Sequence, residues 1–116
     1  VGDYAILGGI VAVHQFARIG KYALIGGQSA VTQDIPPYVS AAGNRAKLYG
    51  LNLVGLKRRG FNDETIAVLK KVYKIIFRSG LTQDEAFAKV VAEYSSSPEA
   101  LHLMDFMRNT TRGVTR

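Results

Sequence analysis

Basic side chains are concentrated in one short segment of this chain of 116 residues. The formal net charge is +6, and residues 45–59 carry five basic side chains and no acidic one, whereas the remainder is nearly neutral. The segment ends in Arg58-Arg59, whose guanidinium groups present fixed donors that match phosphate oxygens. The pattern indicates a site for a phosphate group or an acidic partner protein, and the alternative interpretation is a solvated basic face.

His14 and Gln15 form a second candidate group. A histidine can donate a hydrogen bond to a substrate oxygen near neutral pH, and a glutamine can hold an amide because it both donates and accepts. Each is equally open to interpretation as an exposed polar turn residue. His102 lies among apolar residues of a predicted helix with no matching ligand set, so we interpret it as structural.

The composition excludes several classes of site. The chain has no cysteine, so disulfides and thiolate metal sites are excluded, and neither a metal nor another cofactor is predicted. No apolar run approaches the roughly 20 residues that span a bilayer, and no secretory leader is recognisable, so membrane insertion is not predicted. Nucleic-acid binding by residues 45–59 is disfavoured, because the segment that follows is nearly neutral and contains no RNA-binding motif.

A six-residue repeat would position these side chains. Cut from Val1, the chain reads VGDYAI, LGGIVA, VHQFAR, IGKYAL, IGGQSA and VTQDIP. The first position is always aliphatic, the second is mostly glycine and the fifth is mostly small. This periodicity is typical of a β-helix. It predicts two coils of three hexapeptides over 1–36, with the first position inward and glycine accommodating the turn. Because the repeat is already under way at Val1, we expect further coils upstream.

The rest of the chain is predicted to leave this pattern. Pro36-Pro37 should end the repeat, because proline lacks the N–H that a ladder needs. We expect a connection over 37–61, with a loop at 37–46 and a short helix over 47–58. Residues 62–116 should form a C-terminal α-helical domain, with N-caps at Asn62, Thr82 and Ser97 and a frayed end from about Asn109.

Several segments together resemble one family. AVHQFARIG (12–20), QDIPPYV (33–39), AAGNRAKLYGLNLVGLKRRGF (41–61) and TTRGVTR (110–116) are similar to the C-terminal part of UDP-N-acetylglucosamine O-acyltransferases. The resemblance implies a left-handed parallel β-helix followed by a helical domain, assembled as a cytoplasmic homotrimer. It implies transfer of a 3-hydroxyacyl chain from acyl carrier protein to the 3-hydroxyl of UDP-N-acetylglucosamine, the first step of lipid A biosynthesis.

The resemblance also implies roles for individual residues. The general-base histidine of the family and its acidic partner would precede Val1, so no catalytic residue is expected in this chain. Substrate-binding roles are implied for residues in grooves between subunits, namely His14, Gln15, Asn52, Arg58 and Arg59. Gly27 would border the end of the acyl chain, where a side chain would shorten the pocket. Val54 and Arg45 depart from relatives that have an acid and a histidine there.

Two other functions stay open at this point. One is the related N-acyltransferase of the same pathway, which also uses a hexapeptide prism. The other is a non-catalytic trimerisation module, which would assemble without selective affinity for a nucleotide.

Overall fold

A computed structural model describes every residue from Val1 to Arg116. The strands are β1 (Ile6–Leu7), β2 (Ala12–Val13), β3 (Leu24–Ile25), β4 (Ala30–Val31), β5 (Val39–Ala42) and β6 (Lys47–Leu51). The helices are α1 (Leu53–Arg58), α2 (Asp63–Phe77), α3 (Gln83–Tyr94) and α4 (Pro98–Arg108). None of these helices is long and apolar enough to cross a lipid bilayer.

The first strands stack as successive coils of the chain. β1 lies parallel to β3 with Ile6 opposite Leu24, and β2 lies parallel to β4 with Ala12 opposite Ala30. In both pairs the partner is 18 residues away, which is the length of three hexapeptides, as the repeat predicts. The hexapeptide rhythm therefore sets the register of the stack.

The aliphatic column at the first repeat position fills the coil interior. In the second coil Ile19, Ile25 and Val31 are at most 2% exposed. The corresponding residues of the first coil, Val1, Leu7 and Val13, are all at least 36% exposed, because that coil forms the end of the stack. Burial in this column therefore depends on a coil on either side.

The coil corners differ from the sequence prediction. Left-handed backbone occurs at the fourth repeat position, with φ of 58° at Tyr4 and 61° at Tyr22, and not at the second-position glycines. Those glycines are needed for close packing between coils: a Cβ on Gly20 would lie 2.3 Å from the nitrogen of Pro37. The expectation that glycine serves the turn itself is wrong, because the turn conformation falls two residues later.

The connection after the prolines is more ordered than predicted. The expected loop at 37–46 contains β5, which continues the stack parallel to β3 with Leu24 opposite Ser40, 16 residues away. The helix expected over 47–58 is wrong in its first part, because Lys47–Leu51 forms β6, which pairs antiparallel with β5, and α1 begins only at Leu53. The coil stack therefore continues past Pro36-Pro37, and the separation between paired residues falls from 18 to 16.

The three predicted helices of the C-terminal half are present with their predicted caps. The side chain of Asn62 accepts from the Thr65 N–H, that of Thr82 from Glu85, and that of Ser97 from Ala100. The predicted frayed end is wrong, because Asp34 N donates to the Gly113 carbonyl and Thr115 N donates to the Asp34 carbonyl. The last residues return to the stack and continue its ladder.

Two buried cores hold the molecule together. One lies inside the coils, and the other lies among the helices and includes Leu69, which is fully buried. Each core takes a tyrosine from the other region: Tyr38, directly after the prolines, packs among the helices, and Tyr73 of α2 packs against the coils. The division of the chain at residues 36 and 61 into separate units stays a prediction.

Candidate functional site

A cleft of about 360 Å³ lies between the coil corner and α1, and we call it the arginine cleft. Its wall on the coil side is aromatic and aliphatic, and its wall on the α1 side carries the two arginines. The lining residues are Tyr4, Ile6, Tyr22, Leu24, Asn52, Val54, Gly55, Arg58 and Arg59. Three of the residues singled out from the sequence, Asn52, Arg58 and Arg59, therefore lie together.

Asn52 fixes the start of α1 against the coils. Its side-chain oxygen accepts from the Gly55 N–H at 3.2 Å, and its Nδ2 donates to the Tyr22 carbonyl at 3.0 Å. Gly55 has to be glycine, because a Cβ there would lie 2.3 Å from Nδ2 of Asn52. The side chain of Asn52 is 4% exposed, so its first role is to hold α1, and hence the arginines that follow, in place.

Arg59 is held at the mouth of the cleft by an aromatic column. Its guanidinium carbon lies 4.3 Å from the centre of the Tyr4 ring, a cation–π contact. Tyr4 stacks on Tyr22 at 5.2 Å, and Tyr22 stacks on Tyr38 at 6.0 Å. The column rises through successive coils, so the coil repeat supplies the platform on which the arginine rests. Arg58 lies in the last turn of α1 and Arg59 is its C-cap, where the helix dipole favours cations.

His14 and Gln15 are exposed and lie outside the arginine cleft. Nδ1 of His14 is 2.8 Å from the Gln15 carbonyl oxygen, and Nε2 is 3.3 Å from Nη2 of Arg112. A carbonyl can only accept and a guanidinium can only donate, so this geometry selects the tautomer with hydrogen on Nδ1. A single chain does not bring this pair to Arg58 and Arg59.

Gly27 lines a different cavity, of about 480 Å³, on the face formed by β3 and β5. Its neighbours there are mostly small or apolar, namely Gly8, Leu24, Ile25, Gly26, Ser40, Ala41, Ala42 and Tyr49. A Cβ on Gly27 would lie 3.2 Å from the Gly9 carbonyl oxygen, so a side chain there would be tightly packed against the first coil. Leu24 lines both this cavity and the arginine cleft, so the two adjoin.

The structure divides the basic segment between two places. Arg58 and Arg59 belong to the arginine cleft, whereas Arg45 and Lys47 line another cleft together with Arg112 and Arg116. Sequence reasoning did not single out Tyr4, Arg112 or Arg116 as site residues. The fourth-position column of the repeat carries a signal for Tyr4, but nothing local places the C-terminal arginines beside residue 45.

His102 lies beside the aromatic column, and no group of three or more His, Asp or Glu side chains that could hold a metal ion includes it. Its ring makes an edge contact with Tyr38 at 6.0 Å. Burial lowers the pKa of His102, the Lys21 ammonium lowers it further, and Asp105 opposes both effects. The structural role of His102 stays a prediction.

Comparisons with known proteins point to one family. The model of the UDP N-acetylglucosamine O-acyltransferase family, Domain 2, matches residues 34–115. The chain is 49% identical over 114 residues to the acyl-[acyl-carrier-protein]–UDP-N-acetylglucosamine O-acyltransferase of Myxococcus xanthus, covering 98% of this chain and 44% of that protein. The enzyme of the same name from Thiobacillus denitrificans is 47% identical over 116 residues, covering 100% of this chain and 45% of that protein.

Solved structures agree with the sequence matches. The crystal structure of UDP-N-acetylglucosamine O-acyltransferase from Moraxella catarrhalis aligns with a TM-score of 0.95 at 40% identity, covering 100% of this chain and 45% of that chain. The present chain thus spans less than half the length of the proteins it matches. It belongs to the UDP-N-acetylglucosamine O-acyltransferase family.

Proposed function

We propose that this chain forms the C-terminal part of an enzyme that moves a 3-hydroxyacyl chain from acyl carrier protein to the 3-hydroxyl of UDP-N-acetylglucosamine. In this reaction the sugar hydroxyl forms an ester, the thioester to the carrier breaks, and the carrier thiol leaves. The names of the relatives, which specify both substrates, support the proposal. The product would enter lipid A biosynthesis in the cytoplasm.

The arginine cleft is the observation that carries this proposal. A nucleoside diphosphate needs cations for its phosphates and apolar and hydrogen-bonding surface for its nucleoside. Arg58 and Arg59 supply the cations, while Tyr4, Tyr22 and Asn52 supply the remaining wall. Guanidinium groups keep their charge at any working pH and match phosphate oxygens in pairs. The residues present can therefore bind the diphosphate directly.

We propose that the complete site forms between neighbouring copies in a homotrimer of left-handed parallel β-helices. Two observations support this assembly. The register of 18 residues, with left-handed backbone at the fourth position of the first five hexapeptides, suits a regular prism. His14 and Gln15 lie outside the arginine cleft of their own chain, so they reach a bound substrate only if a second copy presents its cleft to them. The general base would come from residues other than those described.

Gly27 is proposed to border the end of the acyl chain. The cavity that it lines is largely apolar and adjoins the arginine cleft through Leu24, as expected if sugar and acyl chain bind side by side. The replacement Gly27→Met should shift the preference of the enzyme towards shorter acyl chains. The measurement compares kcat/KM for acyl carrier proteins that carry chains of different length.

The decisive experiment measures acyl transfer by the full-length protein. The acceptors are UDP-N-acetylglucosamine, its 3-amino analogue, and the 3-O-acylated glucosamine derivative that lacks the N-acetyl group. Rapid ester formation on the first acceptor supports the proposal. Transfer to the third acceptor alone would reassign the chain to the N-acyltransferase, and no transfer from a folded trimer would leave a non-catalytic module.

Replacements in the cleft test the roles of the arginines. Arg58→Ala and Arg59→Ala should each raise the KM for UDP-N-acetylglucosamine about tenfold, because each removes a charge-assisted hydrogen bond to the diphosphate. Lys57→Ala is the matched control, since Lys57 is exposed and does not line the cleft. An unchanged KM in Arg58→Ala would remove Arg58 from the site without touching the assignment of the reaction.

Tyr4 should act as a positioning residue for Arg59. Tyr4→Leu removes the ring on which the guanidinium rests and should raise the KM about threefold, whereas Tyr4→Phe keeps the cation–π contact and should restore it. In an Arg59→Ala background the Tyr4→Leu replacement should add nothing further. An equal loss in both backgrounds would show that Tyr4 acts independently of Arg59.

A further inference from the structure

A second cationic cleft lies where the C-terminal residues return to the coils, and we call it the C-terminal cleft. It measures about 670 Å³. Four of its nine lining residues are cationic, and none is acidic. The lining residues are Thr32, Gln33, Arg45, Ala46, Lys47, Arg112, Val114, Thr115 and Arg116.

None of the four cations of this cleft forms an ion pair with an Asp or Glu side chain. The one ion pair in the structure joins Arg18 to Asp34, and neither residue lines the cleft. Four like charges brought together repel one another, and that repulsion is relieved when an anion binds among them. The folding of the chain creates this charge density, because Arg45 comes from the β5–β6 connection, Lys47 from the start of β6, and Arg112 and Arg116 from the C-terminal segment.

The C-terminal arginines are held in place on the coil. Nε of Arg112 donates to the Thr32 carbonyl at 3.4 Å, and its own carbonyl accepts from Nε2 of Gln33 at 3.2 Å. The guanidinium carbon of Arg116 lies 5.7 Å from the Phe77 ring centre. The backbone between them is fixed by the ladder to Asp34. These contacts reduce the entropy lost when an anion is bound.

The lining selects the chemical class of anion. Three guanidinium groups match the oxygens of phosphate, and the Thr32 hydroxyl adds a neutral polar partner. The Thr115 hydroxyl already donates to the Gln33 carbonyl. The cleft has room for more than one phosphate group. Ala46 and Val114 are its hydrophobic lining residues, and no aromatic ring faces it, so it offers no platform for a nucleobase.

We propose that the C-terminal cleft binds a small anion with two linked phosphate groups and no nucleoside. This site is separate from the arginine cleft and uses none of its residues. The proposal therefore does not depend on the proposed acyl-transfer function.

The test uses the full-length protein, inorganic pyrophosphate as the probe and calorimetric titration at physiological ionic strength. The exposed pair Arg45→Gln with Arg116→Gln should weaken pyrophosphate binding at least about tenfold. Because the arginine cleft is itself proposed to bind a diphosphate, these titrations are made in the Arg58→Gln, Arg59→Gln protein. In that background Lys70→Gln with Lys71→Gln removes the same charge from the exposed face of α2 and is the matched control. It should retain pyrophosphate binding within about twofold.

A second measurement distinguishes a free diphosphate from a nucleoside diphosphate as the ligand of the C-terminal cleft. In the Arg58→Gln, Arg59→Gln protein, pyrophosphate should bind more tightly than UDP, because the C-terminal cleft has no surface for the base. The single replacement Lys47→Gln, at an exposed site, should weaken pyrophosphate about threefold and keeps the test valid if the double variant does not fold. The proposal is overturned by an absence of saturable pyrophosphate binding, by equal weakening in both double variants, or by UDP binding as tightly as pyrophosphate.

Discussion

The stacked coils and the helices are held together over different distances along the chain. In the coils, the parallel strand pairs join residues 16 or 18 positions apart, so the strand ladder does not form between local partners. In the helices, backbone partners lie one turn away and the caps at Asn62, Thr82 and Ser97 are satisfied within three residues. The helices can thus begin to form from local signals, whereas the coils need their neighbours.

The two regions nevertheless complete one another. Tyr38 leaves the coil stack and is 1% exposed among the helices, and Tyr73 leaves α2 and is 7% exposed against the coils. Asp34, inside the coils, is reached by Thr110 after the last helix. Because each core contains a side chain of the other, we expect the two regions to unfold together.

Matched truncations in the two cores test this coupling, and they should have the largest effect. Ile25 in the coils and Leu69 in α2 are both 0% exposed. Ile25→Ala and Leu69→Ala should each lower the free energy of unfolding by about 3 kcal/mol, because each leaves a cavity in a packed core. Urea unfolding of the full-length protein at fixed concentration, followed by circular dichroism, measures the loss.

Native-state hydrogen exchange shows whether the loss is shared. In both variants the protected amides of β3 and of α2 should exchange faster by the same factor. If Leu69→Ala accelerated exchange only at the helical amides, the two regions would be separate cooperative units. The packing of Tyr38 and Tyr73 in each other's cores would then contribute little to their coupling.

Removing the Asp34 carboxylate should have the next largest effect. The carboxylate is 1% exposed and accepts from Arg18 N at 2.8 Å, from Arg18 Nε at 3.2 Å and from the Thr110 hydroxyl at 2.7 Å. Asp34→Ala should lower the free energy of unfolding by about 2 kcal/mol, since these donors lose their acceptor. Asp34→Asn keeps an acceptor oxygen and should cost less. Equal losses in the two variants would show that the hydrogen bonds are not the source.

The difference between local partners in the helices and distant partners in the coils also explains what could be predicted from the sequence. The helices from Asn62 onward carry their caps in the local sequence, and the structure confirms all three. The coils over 1–36 were predictable because the six-residue period of the repeat is visible in the sequence itself. β5, β6 and the C-terminal segment were not, because their strand character comes from pairing with Leu24, with one another and with Asp34, and none of these partners is marked by a local pattern.

The candidate site divides in the same way. Asn52, Arg58 and Arg59 lie within one helix and its cap, so the sequence already placed them together. Tyr4 joins them only because the coil repeat stacks its ring on that of Tyr22, where the Arg59 guanidinium contacts it. Arg112 and Arg116 reach the basic segment only because the chain folds back on itself, which composition and spacing do not show.

The tyrosine shared between the two regions should make stability sensitive to alkali. Burial raises the pKa of Tyr38 above its ordinary value of 10.0, and the nearby Glu99 adds to this. The folded state therefore binds this proton more tightly, and stability is complete below pH 10 and falls as the pH rises further. We expect a loss of about 1 kcal/mol per pH unit from this group.

Tyr38→Phe should remove that dependence while leaving stability at neutral pH nearly unchanged. Urea titrations on either side of the transition measure the slope. Some loss of stability with rising pH should remain in Tyr38→Phe, because burial also raises the pKa of Tyr73. Tyr49→Phe, at a side chain 70% exposed, is the matched control and should keep the slope of the original protein. A slope unaltered by Tyr38→Phe would contradict the assignment.

The smallest effect should come from a local device of the helical region, the capping box of α3. The Thr82 hydroxyl accepts from the Glu85 N–H at 3.2 Å, and the Glu85 carboxylate accepts from the Thr82 N–H at 3.0 Å. Thr82→Ala should lower the free energy of unfolding by about 0.5 to 1 kcal/mol. The backbone hydrogen bond from Thr82 lowers the pKa of Glu85 from 4.5. The stability that the Glu85 carboxylate contributes is therefore present above that pH and is lost as the pH falls below it. Glu85→Gln should therefore weaken the acid dependence. A loss in Thr82→Ala as large as that in Leu69→Ala would show that α3 depends on its local cap as strongly as on the core, contrary to the contrast between the two regions.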